Sequence, residues 1–405
     1  MKTNLNKFNV LMVLVVVATT LSSQNLTIGN FTDLEVRNNV IYVAGQSGIA
    51  ALNPDMTVLW ERTLPEASIR LLDLKDKNIA FSSYVYEGKE GKLFSSFSSL
   101  WDKQTFTNNT VGMLDLKGNL NWSTSLGGNS KLSGPAIGNG IVAVSSNDSL
   151  YTFEMETGAL KMKTINSAKF LMGKNIKDHA TPNKPLIMPD AIYSTAPFKL
   201  SKIDYSGKIL KDKNMYGLFA PLPILTTEPI VFDNKIFISN APTGKKGQKD
   251  GVARLFCIKE NLDKDWDEYV DLKGQSGASS LIHNSNAIIV ATNFDVMAFN
   301  SKGKELWEMN KKIGLPLLRG VRYSNSDMGV KTSSGNFLCA DDVNVYLASG
   351  EKVNKVFKNN IMVIDAVKGK FVKNIDIPDV IVDMHMTDKD LVVITEANKV
   401  LVINK

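Results

Sequence analysis

Asp115–Trp122 reads DLKGNLNW: a short acidic residue, a turn containing glycine, and a tryptophan seven positions on. Taken alone, it is a tight turn feeding a strand that ends in an aromatic ring. The chain says it again. Asn53–Trp60 is NPDMTVLW, Lys259–Trp266 is KENLDKDW and Asn300–Trp307 is NSKGKELW. Four of the five tryptophans (Trp60, Trp122, Trp266 and Trp307) thus hold one position of one short phrase, which marks a repeated structural unit.

Aligning on the first residue of the phrase gives anchors at Asn53, Asp115, Glu154, Asp204, Lys259, Asn300 and Asp365, with an eighth at Asn404. The degenerate copies are EMETGALK, DYSGKILK and DAVKGKFV. The shortest anchor separations are 39 and 41 residues, the length of one four-stranded propeller blade. Two apolar runs precede each anchor, such as VIYVAG with GIAALN, AIIVAT with VMAFN, and LVVITE with KVLVIN. Bounded by Gly, Asn and Asp, they read as strands. An earlier apolar piece lies before each pair across a polar corner, and the anchor phrase supplies a fourth strand. We name these strands A to D, from the inside of the ring outward.

The expected fold is all-β: an eight-bladed β-propeller of four-stranded blades. The eighth unit ends without strand D, and Leu26–Ile28 at the other end of the chain is expected to supply it. That pairing would close the ring within one blade and cover a sheet edge. The domain would span residues 24–405. In this reading the four tryptophans are structural, filling the widening gap between blades, and glycine serves the positive φ of the turn. The alternative for the tryptophans is stacking on a sugar or a quinone.

GIAALNPDMTVLW (Gly48–Trp60), VGMLDLKGNLNW (Val111–Trp122) and DVMAFNSKGKELW (Asp295–Trp307) resemble the pyrroloquinoline-quinone-like repeat of eight-bladed propellers. The resemblance covers the whole chain after residue 23. It implies one of two roles. Quinone-dependent dehydrogenases of this family use an adjacent cysteine pair, stacking aromatics and a carboxylate–amide set that holds calcium. This sequence has no CC dipeptide, and its two cysteines lie 82 positions apart. No cofactor is therefore expected, neither quinone nor calcium. The other branch is the non-catalytic scaffold, including the lipoprotein subunit of the bacterial barrel-assembly machine, which is similar in length and blade count. The lipid-attachment cysteine of that subunit is missing here.

Residues 1–23 carry the three-part pattern of a secretory signal peptide: cationic MKTNLNK, apolar FNVLMVLVVVATTL, then small residues suited to cleavage near Ser22 or Ser23. The expected protein is exported, periplasmic or extracellular, and not a lipoprotein, with no transmembrane helix in its mature chain. The formal charge of +6 falls by two, to +4, without Lys2 and Lys7. No dense Lys/Arg run appears, so no nucleic-acid partner is implied. Cys257 and Cys339 sit in apolar, strand-like surroundings, as buried thiols or an oxidised pair.

In such a fold the A–B and C–D turns share one face and the B–C and D–A connections share the other. Nearly every insertion falls in the second set: Tyr84–Thr110, APTGKKGQKDG, SGEKVNKVFKNN, and the stretches near 162–184, 212–227 and 311–335. Long connections on a rigid scaffold are where binding concentrates. Candidate partner contacts are Tyr84, Tyr86, Phe94, Phe97 and Trp101, with Lys245, Lys246, Lys249 and Arg322, a mix suited to a protein or glycan partner. The same aromatics would alternatively pack the insertion onto the rim.

Catalytic signals are sparse. His179 lies in an insertion, and His283 and His385 fall on or near inner strands. No catalytic residue, metal ligand or nucleotide-binding loop is assigned. DMHMTDKD (Asp383–Asp390) has side chains that suit a cation but reads as strand A followed by a solvated corner. The N-x-S/T sequons at Asn25, Asn30, Asn108, Asn121 and Asn147 matter only in a eukaryotic secretory pathway. The function expected is that of an exported, monomeric, non-catalytic scaffold that binds protein or surface-polymer partners through the long-connection face. Its rivals are a quinone-dependent oxidoreductase and a carbohydrate-binding propeller.

Overall fold

The computed structural model describes residues 26–87, 105–128, 130–146, 148–166, 182–196, 199–214, 223–225, 227–242, 253–266, 269–272, 278–292, 295–309, 337–353 and 356–405. Its strands form eight separate antiparallel sheets, and the described residues contain no helix. Blade 1 comprises β1 (Phe31–Arg37), β2 (Val40–Gly45), β3 (Gly48–Leu52) and β4 (Val58–Thr63). Blade 2 comprises β5 (Ile69–Lys75), β6 (Asn78–Glu87), β7 (Thr105–Asp115) and β8 (Leu120–Ser125). Blade 3 has β9 (Ala136–Gly138), β10 (Ile141–Ser145), β11 (Ser149–Glu154) and β12 (Leu160–Ile165). Blade 4 has β13 (Leu186–Ile187), β14 (Ile192–Ala196), β15 (Lys199–Ile203) and β16 (Ile209–Asn214). In blade 5 the inner strand is split: β17 (Pro223–Leu225) and β18 (Ile230–Phe232) both pair with β19 (Lys235–Pro242), followed by β20 (Ala253–Ile258) and β21 (Val270–Leu272). Blade 6 has β22 (Ala278–His283), β23 (Ile288–Thr292), β24 (Val296–Phe299) and β25 (Glu305–Glu308). Blade 7 has β26 (Leu338–Ala340), β27 (Asn344–Val353), β28 (Val356–Asp365) and β29 (Phe371–Ile377). Blade 8 has β30 (Ile381–Met386), β31 (Asp390–Thr395) and β32 (Val400–Asn404).

The chain is an eight-bladed β-propeller, as the repeat predicts. Each blade packs on two neighbours, so its middle strands are buried on both faces. That is why β10 and β23 read as unbroken apolar runs instead of alternating ones. Eight apolar clusters fill the eight seams. One joins Tyr42, Ala44 and Ile49 of blade 1 to Leu72, Ile79 and Phe81 of blade 2. The last joins Val392, Ile394 and Val400 of blade 8 to Ile41, Val43 and Ala50 of blade 1.

The tryptophan phrase works between blades. The Trp60 ring lies over Gly118 of the next blade, and its Nε1 donates to Leu116 O at 2.8 Å. Trp122 covers Gly158 and donates to Met155 O, and Trp307 covers Gly369 and donates to Ala366 O, each at 2.8 Å. Trp266 covers Gly303, and Met162 covers Gly207. A β-carbon on Gly158 would stand 2.4 Å from the Trp122 ring. The turn itself does not demand glycine. Met56 and Leu262 hold the same turn position at φ 70° and 63°. Both follow a blade that brings no large side chain: blade 8 has no fourth strand among the described residues, and blade 4 carries Lys211 at the tryptophan position. Met56 and Leu262 are buried in the space this leaves. Glycine serves the turn as expected, at φ 62–94° in Gly118, Gly158, Gly207, Gly303 and Gly369, and it also makes room for the preceding blade's side chain.

Two expectations are corrected. Leu26–Ile28 is not in a strand and does not pair with β32. It is tied to blade 1 instead. Thr27 N–H donates to Glu61 Oε2 at 2.9 Å, and Ser47 N–H donates to Ile28 O at 2.8 Å. Gly45 and Gly48 permit this, since a β-carbon on Gly45 would meet Ile28 O at 2.3 Å. Ile28 still packs in the blade 8–blade 1 cluster, with Leu26 against it. Likewise SGEKVNKVFKNN is not an irregular loop. Its backbone continues the β27–β28 ladder from Ser349↔Asn360 out to Val353↔Val356.

Candidate functional site

Antiparallel order sets the two faces. The A–B turns are corners of two to four residues, with two in Asn38–Asn39, Asp76–Lys77 and Asp233–Asn234. The long connections leave from the opposite face. Of the nine candidate contacts, Phe94, Phe97, Trp101, Lys245, Lys246, Lys249 and Arg322 lie outside the described residues. Tyr84 is 2% exposed, which corrects its reading as an exposed contact. It packs edge-on against Phe106, with ring centroids 5.6 Å apart, inside the blade 2–blade 3 cluster. Burial raises its phenol pKa. Tyr86 is half-buried against the same ring at 5.5 Å. The two tyrosines therefore support the root of the insertion. The β6–β7 hairpin carries that root outward to Glu87↔Thr105.

The structure brings together a second group that the sequence did not. Superposing the inner strands on their A–B corners puts Glu35, Asp73, Cys339 and His385 at one register position. Blades 3 to 6 put Ala136, Leu186, Ile230 and Ile282 there. Two residues earlier stand Asp33, Lys184 and Asp383. At the first of these positions the polar side chains thus gather on the arc of blades 7, 8, 1 and 2, and Lys184 of blade 4 and Glu228 of blade 5 add charges at the second.

These side chains reach to the next blade. Leu34 N–H donates to Asp383 Oδ2 at 2.9 Å, Leu72 N–H to Asp33 Oδ2 at 2.6 Å, and Ile137 N–H to Asp73 Oδ2 at 2.8 Å. Cys339 Sγ donates to Met384 O at 3.1 Å. Lys184 Nζ lies 2.6 Å from Asp73 Oδ1. Burial alone would pull the Lys184 ammonium down, but the carboxylates of Asp73, Glu228 and Glu35 outweigh it and hold it above the ordinary lysine range. His385 stands 3.7 Å from Glu35 Oε2 and 3.9 Å from Asp383 Oδ1. Burial, with Lys184 adding to it, lowers His385 to about 4, so its ring is neutral at pH 7.

Asp73 joins three blades, so its replacement should be felt. Asp73→Ala leaves the Ile137 N–H and the Lys184 ammonium without this acceptor. Both partners of the ion pair keep some solvent contact, which tempers the effect. We expect a loss of about 1–3 kcal/mol, read as a lower urea midpoint at unchanged slope. Asp73→Asn retains the acceptor for Ile137 and should lose less.

DMHMTDKD falls as the sequence predicts, on β30 and the corner after it. Its Asp383 and His385 belong to this inner cluster. Among the described residues, no group of three or more His, Cys, Asp or Glu is arranged to hold a metal ion. His283 ends β22 and lies against Phe232, ring centroids 5.4 Å apart, while His179 lies outside the described residues. Cys257 and Cys339 are free thiols, each raised by burial. No helix among the described residues is long and apolar enough to cross a membrane.

No family model matches the chain, and no curated protein matches it. Solved structures do. BamB from Moraxella catarrhalis superposes with a TM-score of 0.62 at 14% identity, over 96% of this chain and 98% of its own. The computationally designed protein Ika8 gives 0.60 at 14% identity, over 95% and 98%. The Dos1 propeller gives 0.57 at 11% identity, over 95% of each. At such identities the likeness shows a shared fold.

Proposed function

We propose that the chain is an exported, non-catalytic scaffold that binds a protein or surface-polymer partner through its long-connection face. The observation that carries this reading is the asymmetry between the two faces. One bears short corners, two to four residues long between the two inner strands of every blade. The other carries the insertions, and in blades 2 and 7 it extends paired strands beyond the ordinary blade length. A rigid ring with elaborated connections on one side is suited to presenting a binding surface. The sequence resemblance to the barrel-assembly-machine scaffold points the same way, and the whole-chain likeness to BamB is consistent with it. In this reading the protein works as a monomer in the periplasm or outside the cell, without quinone or calcium.

The test uses the hairpin as a graft point. Replacing residues 88–104 by a two-residue turn between Glu87 and Thr105 leaves the β6–β7 ladder and its Tyr84–Phe106 support in place. A pull-down from native envelope or medium fractions should recover a partner with the intact chain and lose it with the graft. Unchanged capture by a folded graft would overturn this use of the face. A chain that captures nothing in either form would overturn the scaffold reading itself.

A further inference from the structure

The seam between blades 8 and 1 is one of those without a ring-on-glycine contact, since Met56 occupies the glycine position. It is held from the inside. Asp383 accepts the Leu34 N–H across this seam, and Asp33 accepts the Leu72 N–H across the next. The Asp33 and Asp383 carboxyl groups are both buried beneath this seam, and Asp383 pushes Asp33 towards its protonated form. Two carboxyl groups buried together are held most readily when one keeps its proton, because two buried negative charges repel. Glu35 faces the same cluster, with His385 at 3.7 Å. The remaining groups around the cluster are Asp73, Glu228, Lys184 and the Cys339 thiol of blade 7, and Lys184 is already bound to Asp73.

We propose that this cluster is a proton-operated latch: a proton held among Asp33, Glu35 and Asp383 clasps blades 8, 1 and 2, and its release loosens the seam that closes the ring. The titration runs in the required direction. Burial holds Asp33 well above the usual carboxylate range, and Asp383 and Glu35 push it the same way. Burial raises Glu35 to about 8 against the pull of Lys184, with Asp73, Asp383 and Glu228 adding to the rise. Opened to water, both groups would titrate near about 4. Above about pH 6.5 His385 is neutral whether the seam is closed or open, so there the closed seam binds more protons than the open one. Its support for closure weakens as pH rises from there and is lost once pH passes about 8. Within that interval each proton makes opening up to about tenfold more favourable per pH unit.

Hydrogen exchange on the intact protein tests this, with rates divided by the intrinsic exchange rate at each pH. Between about pH 6 and pH 8.5 the Leu34 and Leu72 amides should lose roughly tenfold or more of their protection, while β23 in blade 6 keeps its own. Asp33→Asn supplies an amide N–H in place of a titrating proton, so protection at these two amides should depend less on pH, with Glu35 carrying what is left. Glu35→Gln should flatten the dependence and serves alone if the first variant does not fold. Protection that is constant with pH, that falls equally in β23, or that keeps its full pH dependence in the folded variants would overturn the latch.

Discussion

Gly158→Leu should destabilise the protein by about 4 kcal/mol, and adding Trp122→Lys to it should cost almost nothing more. The first effect has two sources. Leucine at φ 71° takes a left-handed backbone, a strain of about 1 kcal/mol. Its β-carbon would also stand 2.4–2.7 Å from Trp122 ring atoms, and a ring buried among Phe153, Ile137 and Val142 has no free direction to move. Overpacking of this kind adds about 1–3 kcal/mol. Trp122→Lys alone should lose about 3 kcal/mol of burial and packing. The double variant reproduces what the chain already has between blades 4 and 5, where Lys211 faces a turn holding Leu262. There Leu262 is buried beside Tyr193, Ile236 and Ile258, and Lys211 pairs outside with Asp263. A double-mutant cycle in urea should give a coupling of about 3 kcal/mol in favour of the pair. Losses that simply add within about 0.5 kcal/mol would show that glycine is kept for the turn and not for the ring.

This pairing explains what was legible in the sequence. A tryptophan and the glycine it covers meet in four of the eight seams, and the turn phrase that carries them recurs through the chain, so blade number and strand order follow from the phrase. Its exceptions were legible too, once the two positions are compared across consecutive units instead of within one. The inner cluster gave no such signal. Asp33, Asp73, Lys184, Asp383 and His385 are spread over most of the chain, and all but Lys184, which lies two residues before β13, sit on strands with apolar neighbours. They meet because the ring brings the inner strands together, a closure that no local pattern encodes. Aligning the units on their A–B corners was the one available clue. The long-connection face was legible as a location, whereas Tyr84 shows the limit of reading roles from residue type. An aromatic at the root of an insertion looks the same in sequence whether it faces a partner or a core.

Arg70→Met should be the most damaging single change to a charged residue, at about 3–5 kcal/mol. Arg70 opens the inner strand of blade 2 and is 1% exposed. Its guanidinium passes under the B–C turn of blade 1 and donates to backbone carbonyls alone. Nη1 donates to the Gly45, Gln46 and Gly48 oxygens, and Nη2 donates to Pro65 O at 2.6 Å. Burial draws its pKa down to about 10, with Glu66 nearby opposing the fall, so the charge is held largely by oriented carbonyl dipoles. Methionine fills similar space but donates nothing, leaving several buried carbonyls that cannot all reach water. The damage should also be local in a defined way. The same turn holds Ile28 through the Ser47 N–H, so amide protection of residues 45–48 should fall further than that of blade 6. Arg70→Lys keeps the charge but presents a point-like ammonium in place of a planar fork, and should lose an intermediate amount, about 2 kcal/mol. A methionine variant within about 1 kcal/mol of the parent would mean that water takes over the carbonyls, and that Arg70 fastens nothing.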